Sequence, residues 1–67
     1  MSTVIYTRYG SPVTIVGYDE PWITVRYRDG ETRRYFLSDL RAPGGIDEIM
    51  AVIAALPEQA KGGDQEV

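Results

Sequence analysis

Hydrophobic and polar residues alternate through the first half of the chain with the period of two that is typical of β-strands. The alternating segments are rich in Val, Ile, Thr, Tyr and Trp, and the turn sequences GSP, DEP and DG separate them. This pattern predicts a meander of four strands over Val4–Tyr9, Val13–Tyr18, Trp22–Tyr27 and Thr32–Leu37.

The hydrophobic period changes to that of a helix near residue 46. Four apolar residues recur at positions i, i+3, i+4 and i+7 and would form one stripe: Ile46, Ile49, Met50 and Ile53. Asp47 and Glu48 lie in the first turn, where carboxylates complement the helix dipole, and Pro57 cannot continue a helix. We therefore predict a helix over residues 46–56.

The turn of the central hairpin decides which side chains face the core, and two geometries fit its DG sequence. A two-residue turn would place Arg26 opposite Arg33, so that like charges face each other. It would also bring Arg34 onto the apolar face. A three-residue loop with Gly30 in the left-handed conformation instead pairs Ile23 with Tyr35. The same loop places Val25 opposite Arg33. We favour this loop because it collects the apolar side chains on one face.

This register assigns each side chain to one of the two faces of the sheet, because neighbouring residues of a strand point to opposite sides. The predicted inner face holds Ile5, Thr7, Tyr9, Val13, Ile15, Gly17, Ile23, Val25, Tyr27, Tyr35 and Leu37. The predicted outer face holds Tyr6, Arg8, Val16, Tyr18, Trp22, Arg26, Arg34 and Phe36, with Trp22 opposite Phe36. In each of the three Arg-Tyr dipeptides, the tyrosine would enter the core while the arginine stays outside.

Composition limits the functions that the chain can perform. Its 67 residues suffice for one domain and include neither cysteine nor histidine. The chain therefore lacks the thiolate and imidazole groups on which Ser-His-Asp catalysis, Cys-His catalysis and Cys/His zinc sites depend. Ser11 and Ser38 have no base to activate them. We expect no enzyme activity, no cofactor, no catalytic residue and no metal ligand.

Charge is distributed unevenly along the chain, whose net charge is −3. Residues 1–43 carry six arginines against five carboxylates, whereas residues 44–67 carry one lysine against five carboxylates. Residues 58–67 have too little apolar content to order them, so we predict a domain over residues 1–57 followed by a disordered acidic tail. Because the chain shows no signal sequence and no apolar stretch of membrane-spanning length, we expect a cytoplasmic protein with no membrane contact.

The segments GSPVTIVGY, WITVRYRDG and YFLSDLR resemble the small SH3-like β-barrels, particularly the Tudor-like ones, over residues 11–41. The resemblance implies binding of peptides, modified side chains or nucleic acid, or a role as an assembly unit. A Tudor-like aromatic cage would be supplied by Tyr18, Asp19, Glu20 and Trp22. The spacing of Leu37 and Leu40 fits a single helical turn that closes the barrel. The expected fold is mainly β with one helix, an SH3-like small antiparallel β-barrel followed by a C-terminal α-helix.

The YDEPW sequence, residues 18–22, sets two carboxylates between two aromatic rings and could receive an arginine or lysine of a partner. The alternative is an ordinary hairpin loop, because Asp and Pro are common turn residues. The predicted outer face, with Arg26 and Arg34 among aromatic rings, has the composition of a single-strand nucleic-acid surface. The acidic net charge opposes that interpretation, and alternating charges are also common on a solvated strand face.

The exposed pair of Trp22 and Phe36 suggests a contact site. Two interpretations remain open for the helix. It either packs its apolar stripe on the outer face around Trp22 and Phe36, or it closes the end of the barrel and leaves that face free.

We predict a non-catalytic binding or adaptor module that contacts a partner protein. The predicted partner-binding residues are Tyr18, Trp22, Arg26, Arg34 and Phe36. The alternatives are nucleic-acid binding by the same face, a homo-oligomeric structural unit, and a small acidic inhibitor of a nucleic-acid enzyme.

Overall fold

A computed structural model describes residues 4–60, which form a five-stranded antiparallel sheet and one α-helix. The strands are β1 (Ile5–Thr7), β2 (Pro12–Asp19), β3 (Trp22–Tyr27), β4 (Thr32–Tyr35) and β5 (Leu40–Arg41). Helix α1 spans Ile46–Ala54, and two 310 turns span Leu37–Asp39 and Glu58–Ala60. The prediction of a mainly β fold with one helix near the C-terminus is confirmed.

The strand order is β4-β3-β2-β1-β5. The predicted meander of four strands is present, and the helical turn predicted after it is the 310 turn Leu37–Asp39. The sequence did not reveal β5, whose two residues pair with β1 and are too few to show a period. Strands β4 and β5 form the two edges and do not pair with each other, so the sheet is not closed into a barrel.

The register of the β3–β4 hairpin is the predicted one. Ile23 pairs with Tyr35, and Val25 pairs with Arg33. The loop has three residues, because the Tyr27 N–H donates to the Glu31 carbonyl at 2.7 Å. Gly30 has φ +93°, a left-handed conformation that side chains rarely adopt.

Strand β2 contains one extra residue, Val16, relative to β3. The Ile15 side chain faces inward, as predicted. Tyr18, which lies after the extra residue, pairs with Ile23 and packs against the core. The predicted inner position of Gly17 and the predicted outer position of Tyr18 are therefore wrong. The physical reason is that a bulge reverses the alternation of side chains after it.

The core lies between one face of the sheet and α1. Its buried side chains are Ile5, Thr7, Val13, Ile15, Ile23, Val25, Leu40, Ile49 and Ile53. Ile49 and Ile53 project from α1 and join the residues of the inner face. The helix thus packs on the inner face, and the interpretation that it covers Trp22 and Phe36 is wrong.

None of the helices among residues 4–60 is long and apolar enough to cross a membrane.

The N-terminal strand is shorter than predicted, because the chain turns immediately after Thr7. Tyr9 therefore leaves the sheet and is 76 % exposed, which makes its predicted core position wrong. The Thr7 hydroxyl, on a side chain that is 1 % exposed, accepts the N–H groups of Tyr9 at 3.3 Å and Ser11 at 3.2 Å. This buried hydroxyl organises the turn into β2.

The C-terminal boundaries also differ from the predicted ones. Helix α1 ends at Ala54, two residues before the predicted end, and the 310 turn Glu58–Ala60 occupies the start of the predicted tail. This turn packs against β2, where the Ala60 carbonyl oxygen would lie 3.3 Å from a Cβ added to Gly17. Glycine permits this close approach, since any larger residue would press on the turn. The rest of the predicted tail, residues 61–67, lies outside the described residues.

We expect Thr7→Val to reduce the free energy of unfolding by about 1–2 kcal/mol, because the two N–H groups lose their acceptor while the side-chain volume is kept. Urea denaturation measures the change. Thr14→Val is the matched control at an exposed strand position and should shift stability by less than about 0.5 kcal/mol. Equal effects of the two substitutions would contradict this role of the Thr7 hydroxyl.

Candidate functional site

Two aromatic rings stack on the sheet face that α1 leaves free. Trp22 begins β3, and the confirmed register brings it opposite Phe36, which follows β4. The ring centroids lie 4.6 Å apart with an interplanar angle of 19°. The Arg34 guanidinium carbon lies 5.2 Å from the centroid of the Trp22 ring, within cation–π range. The predicted juxtaposition of Trp22 and Phe36 is confirmed.

Arg26 lies on the same face, because its neighbour Val25 is buried on the opposite side. It pairs with Thr14 of β2 and with Thr32 of β4. We define the aromatic–arginine face by the four residues Trp22, Arg26, Arg34 and Phe36. These are four of the five side chains that the sequence predicted for partner binding.

The two arginines of this face have no carboxylate partner among residues 4–60. The ion pairs in the described part of the chain join Arg8 to Asp39 at 3.4 Å and Arg33 to Glu31 at 3.6 Å. Arg26 is exposed, and the Arg34 guanidinium lies over the Trp22 ring. No carboxylate of residues 4–60 therefore forms an ion pair with the positive charges of this face.

Tyr18, the fifth predicted residue, lies on the other side of the sheet. It faces an apolar groove of about 390 Å³ between the β2–β3 loop, the segment after β4 and α1. The lining residues are Tyr18, Glu20, Pro21, Ile23, Phe36, Leu37, Ser38, Met50 and Ile53. Phe36 belongs to both surfaces. Sequence reasoning missed the groove, although three of its lining residues, Tyr18, Glu20 and Pro21, belong to the YDEPW segment that the sequence singled out.

The aromatic cage implied by the Tudor-like resemblance is not assembled. Trp22 pairs with Asp19, and Tyr18 pairs with Ile23 in the next position along the ladder. The bulge turns Tyr18 toward the core, so its ring and that of Trp22 lie on opposite faces of the sheet. The residues predicted for the cage are thus divided between two separate surfaces.

No group of three or more His, Cys, Asp or Glu side chains within residues 4–60 is arranged to hold a metal ion. Comparison of the chain with protein-family models, curated proteins and solved structures finds no match. The functional inference therefore rests on the two surfaces, the aromatic–arginine face and the groove.

A pair of tyrosines braces the hairpin that carries the aromatic–arginine face. The Tyr27 and Tyr35 hydroxyl groups hydrogen-bond to each other, and both rings pack against the core. The hydrogen bond to Tyr35, followed by burial, raises the pKa of Tyr27 above its ordinary value. The neutral phenol is favoured in the folded state, so alkaline pH opposes this bond.

Because the folded-state pKa of Tyr27 exceeds its unfolded value, its contribution to stability is present below about pH 10 and is lost as pH rises through the folded pKa. We expect Tyr27→Phe to reduce the loss of unfolding free energy between about pH 9 and about pH 11, measured by urea denaturation. Tyr6→Phe, on the other side of the sheet, is the control. An unchanged pH dependence in the Tyr27 variant would show that its hydroxyl does not titrate in this way.

Proposed function

We propose that this protein is a non-catalytic binding module that contacts a partner protein through the aromatic–arginine face. The observation that carries the proposal is the stack of Arg34 on Trp22 and of Trp22 on Phe36, on the sheet face that α1 does not cover. Tryptophan and arginine are the residue types that most often dominate binding energy at protein interfaces. The Arg34, Trp22 and Phe36 side chains already pack on one another, and such preorganisation lowers the entropy cost of association.

The charges of the face determine the chemistry of the partner. Arg26 and Arg34 have no carboxylate partner among residues 4–60, so each guanidinium is available to a carboxylate of another protein. Arginine binds carboxylates with two parallel hydrogen bonds and at the same time stacks on aromatic rings. The partner segment in this proposal carries Asp or Glu beside an apolar or aromatic side chain, which lies against Trp22.

The proposal includes a more specific fold. We infer that the open sheet has the strand arrangement of the SH3-like small β-barrels, of the Tudor-like kind, with its β4 and β5 edges left unbonded. The pairing of β5 with β1 and the 310 turn between β4 and β5 support this inference. We also propose that the protein acts in the cytoplasm, an environment that suits a chain without cysteine.

The test is a selection from a random peptide library displayed on phage, followed by affinity measurement on the enriched peptides. We expect enrichment of acidic peptides with an aromatic or apolar residue, and a loss of affinity of at least about tenfold in the variant Arg26→Ala/Arg34→Ala. Both side chains point away from the core, so the variant should keep its stability within about 1 kcal/mol.

Arg28→Ala/Arg33→Ala is the matched control, because it removes the same charge from the loop and from the opposite face. Peptides that bind the wild type and this control equally, but not the Arg26/Arg34 variant, support the proposal. A selection in which no enriched peptide distinguishes the two double variants would contradict it, and so would an Arg26/Arg34 variant that fails to fold.

Single-stranded nucleic acid is a second candidate ligand for the same face. The specific observation in its favour is the Arg34–Trp22 contact beside Phe36, because bases stack on aromatic rings while arginines neutralise phosphates. The net charge of −3 weakens this candidate, since it repels a polyanion.

Salt dependence separates the two ligands. For two phosphate contacts, by Arg26 and Arg34, the logarithm of the affinity for oligothymidylate should fall with the logarithm of salt concentration with a slope of about −1.4. Quenching of the single tryptophan, Trp22, provides the binding signal. Absence of quenching at low salt, or an affinity that is independent of salt, would eliminate this second candidate.

A further inference from the structure

The apolar groove beside α1 shares one residue, Phe36, with the aromatic–arginine face and is otherwise lined by different side chains. Its floor is formed by Ile23 and Ile53, which are 1 % and 5 % exposed, and its rims by Phe36 and Met50, which are 44 % and 43 % exposed. Large apolar side chains that stay exposed around a concave site are typical of ligand-binding clefts. The volume of about 390 Å³ accommodates one or two side chains of a partner.

Glu20 is the single charged residue that lines the groove. Neither Glu20 nor its neighbour Asp19 forms an ion pair with any other residue in the range 4–60. The rings of Tyr18 and Phe36 line the same groove, and aromatic faces attract cations. Carboxylate and aromatic groups therefore both favour a positively charged group at the mouth of the groove.

We propose that this groove binds a protein segment that presents an arginine or lysine beside an apolar side chain. The apolar side chain packs between Met50 and Phe36, and the cation lies near the Glu20 carboxylate. An acidic segment would be repelled by the Glu20 carboxylate that lines the groove. This partner has the charge opposite to that of the partner proposed for the aromatic–arginine face, so the two sites take different ligands.

The probe is the acetylated and amidated tripeptide Leu-Arg-Leu, and the charge-reversed control is the corresponding tripeptide Leu-Glu-Leu. The chain has two methionines, Met1 and Met50, so methyl-labelled methionine gives one NMR signal inside the groove. We expect the arginine tripeptide to shift the Met50 methyl and Glu20 amide signals in a saturable way. Leu-Glu-Leu should produce a much smaller change.

Glu20→Gln should weaken binding of the arginine tripeptide by about fivefold, which is the size expected for one partly exposed ion pair. Glu58→Gln is the matched control, because it removes the same charge at an exposed position that does not line the groove. Arg26→Ala/Arg34→Ala should bind the tripeptide like the wild type, so this result is independent of the proposed function of the aromatic–arginine face.

Four outcomes would overturn the proposal. The first is the absence of a saturable Met50 shift, the second is equal binding of both tripeptides, and the third is an unchanged affinity of the Glu20 variant. The fourth is a Met50 signal that shifts with protein concentration alone, together with a doubled mass in sedimentation. In that case the groove is occupied by a second copy of the chain.

Discussion

One extra residue in β2, Val16, decides on which side of the sheet Tyr18 lies, and so keeps Tyr18 apart from the aromatic–arginine face. Because side chains alternate along a strand, the extra residue reverses every later position of β2. Tyr18 consequently turns toward the core and the groove, and Gly17 turns outward to the 310 turn Glu58–Ala60. The separation of the two surfaces depends on this reversal, since without it the Tyr18 ring would join Trp22 on one face.

The two surfaces have opposite charge and meet at Phe36. One of its neighbours is the Trp22 ring beneath Arg34, and the groove on its other side contains Glu20. Asp39 fixes the backbone at this position, because its carboxylate accepts the Phe36 N–H at 3.3 Å. The 310 turn that ends at Asp39 therefore positions a ring that both surfaces use.

The sequence predicted correctly those features that depend on residues close together in the chain, namely the turn and the pairing of the β3–β4 hairpin. The DG turn and the alternation on both sides of it fixed the β3–β4 register, and the register in turn brought Trp22 opposite Phe36. The bulge at Val16 was not predictable, because an apolar residue in an apolar strand gives no sign that it is unpaired. The stripe on α1 identified an amphipathic helix, but it could not show which face of the sheet it covers.

Strand β4 is an edge of the sheet, and its free backbone groups could pair with a strand of another molecule. Two consecutive arginines, Arg33 and Arg34, lie in this four-residue strand and point to opposite faces. A second β4 added to this edge would bring like charges together on both faces of the extended sheet. The arginines therefore also oppose edge-to-edge aggregation, a hazard that a sheet with unbonded edges has and a closed barrel avoids.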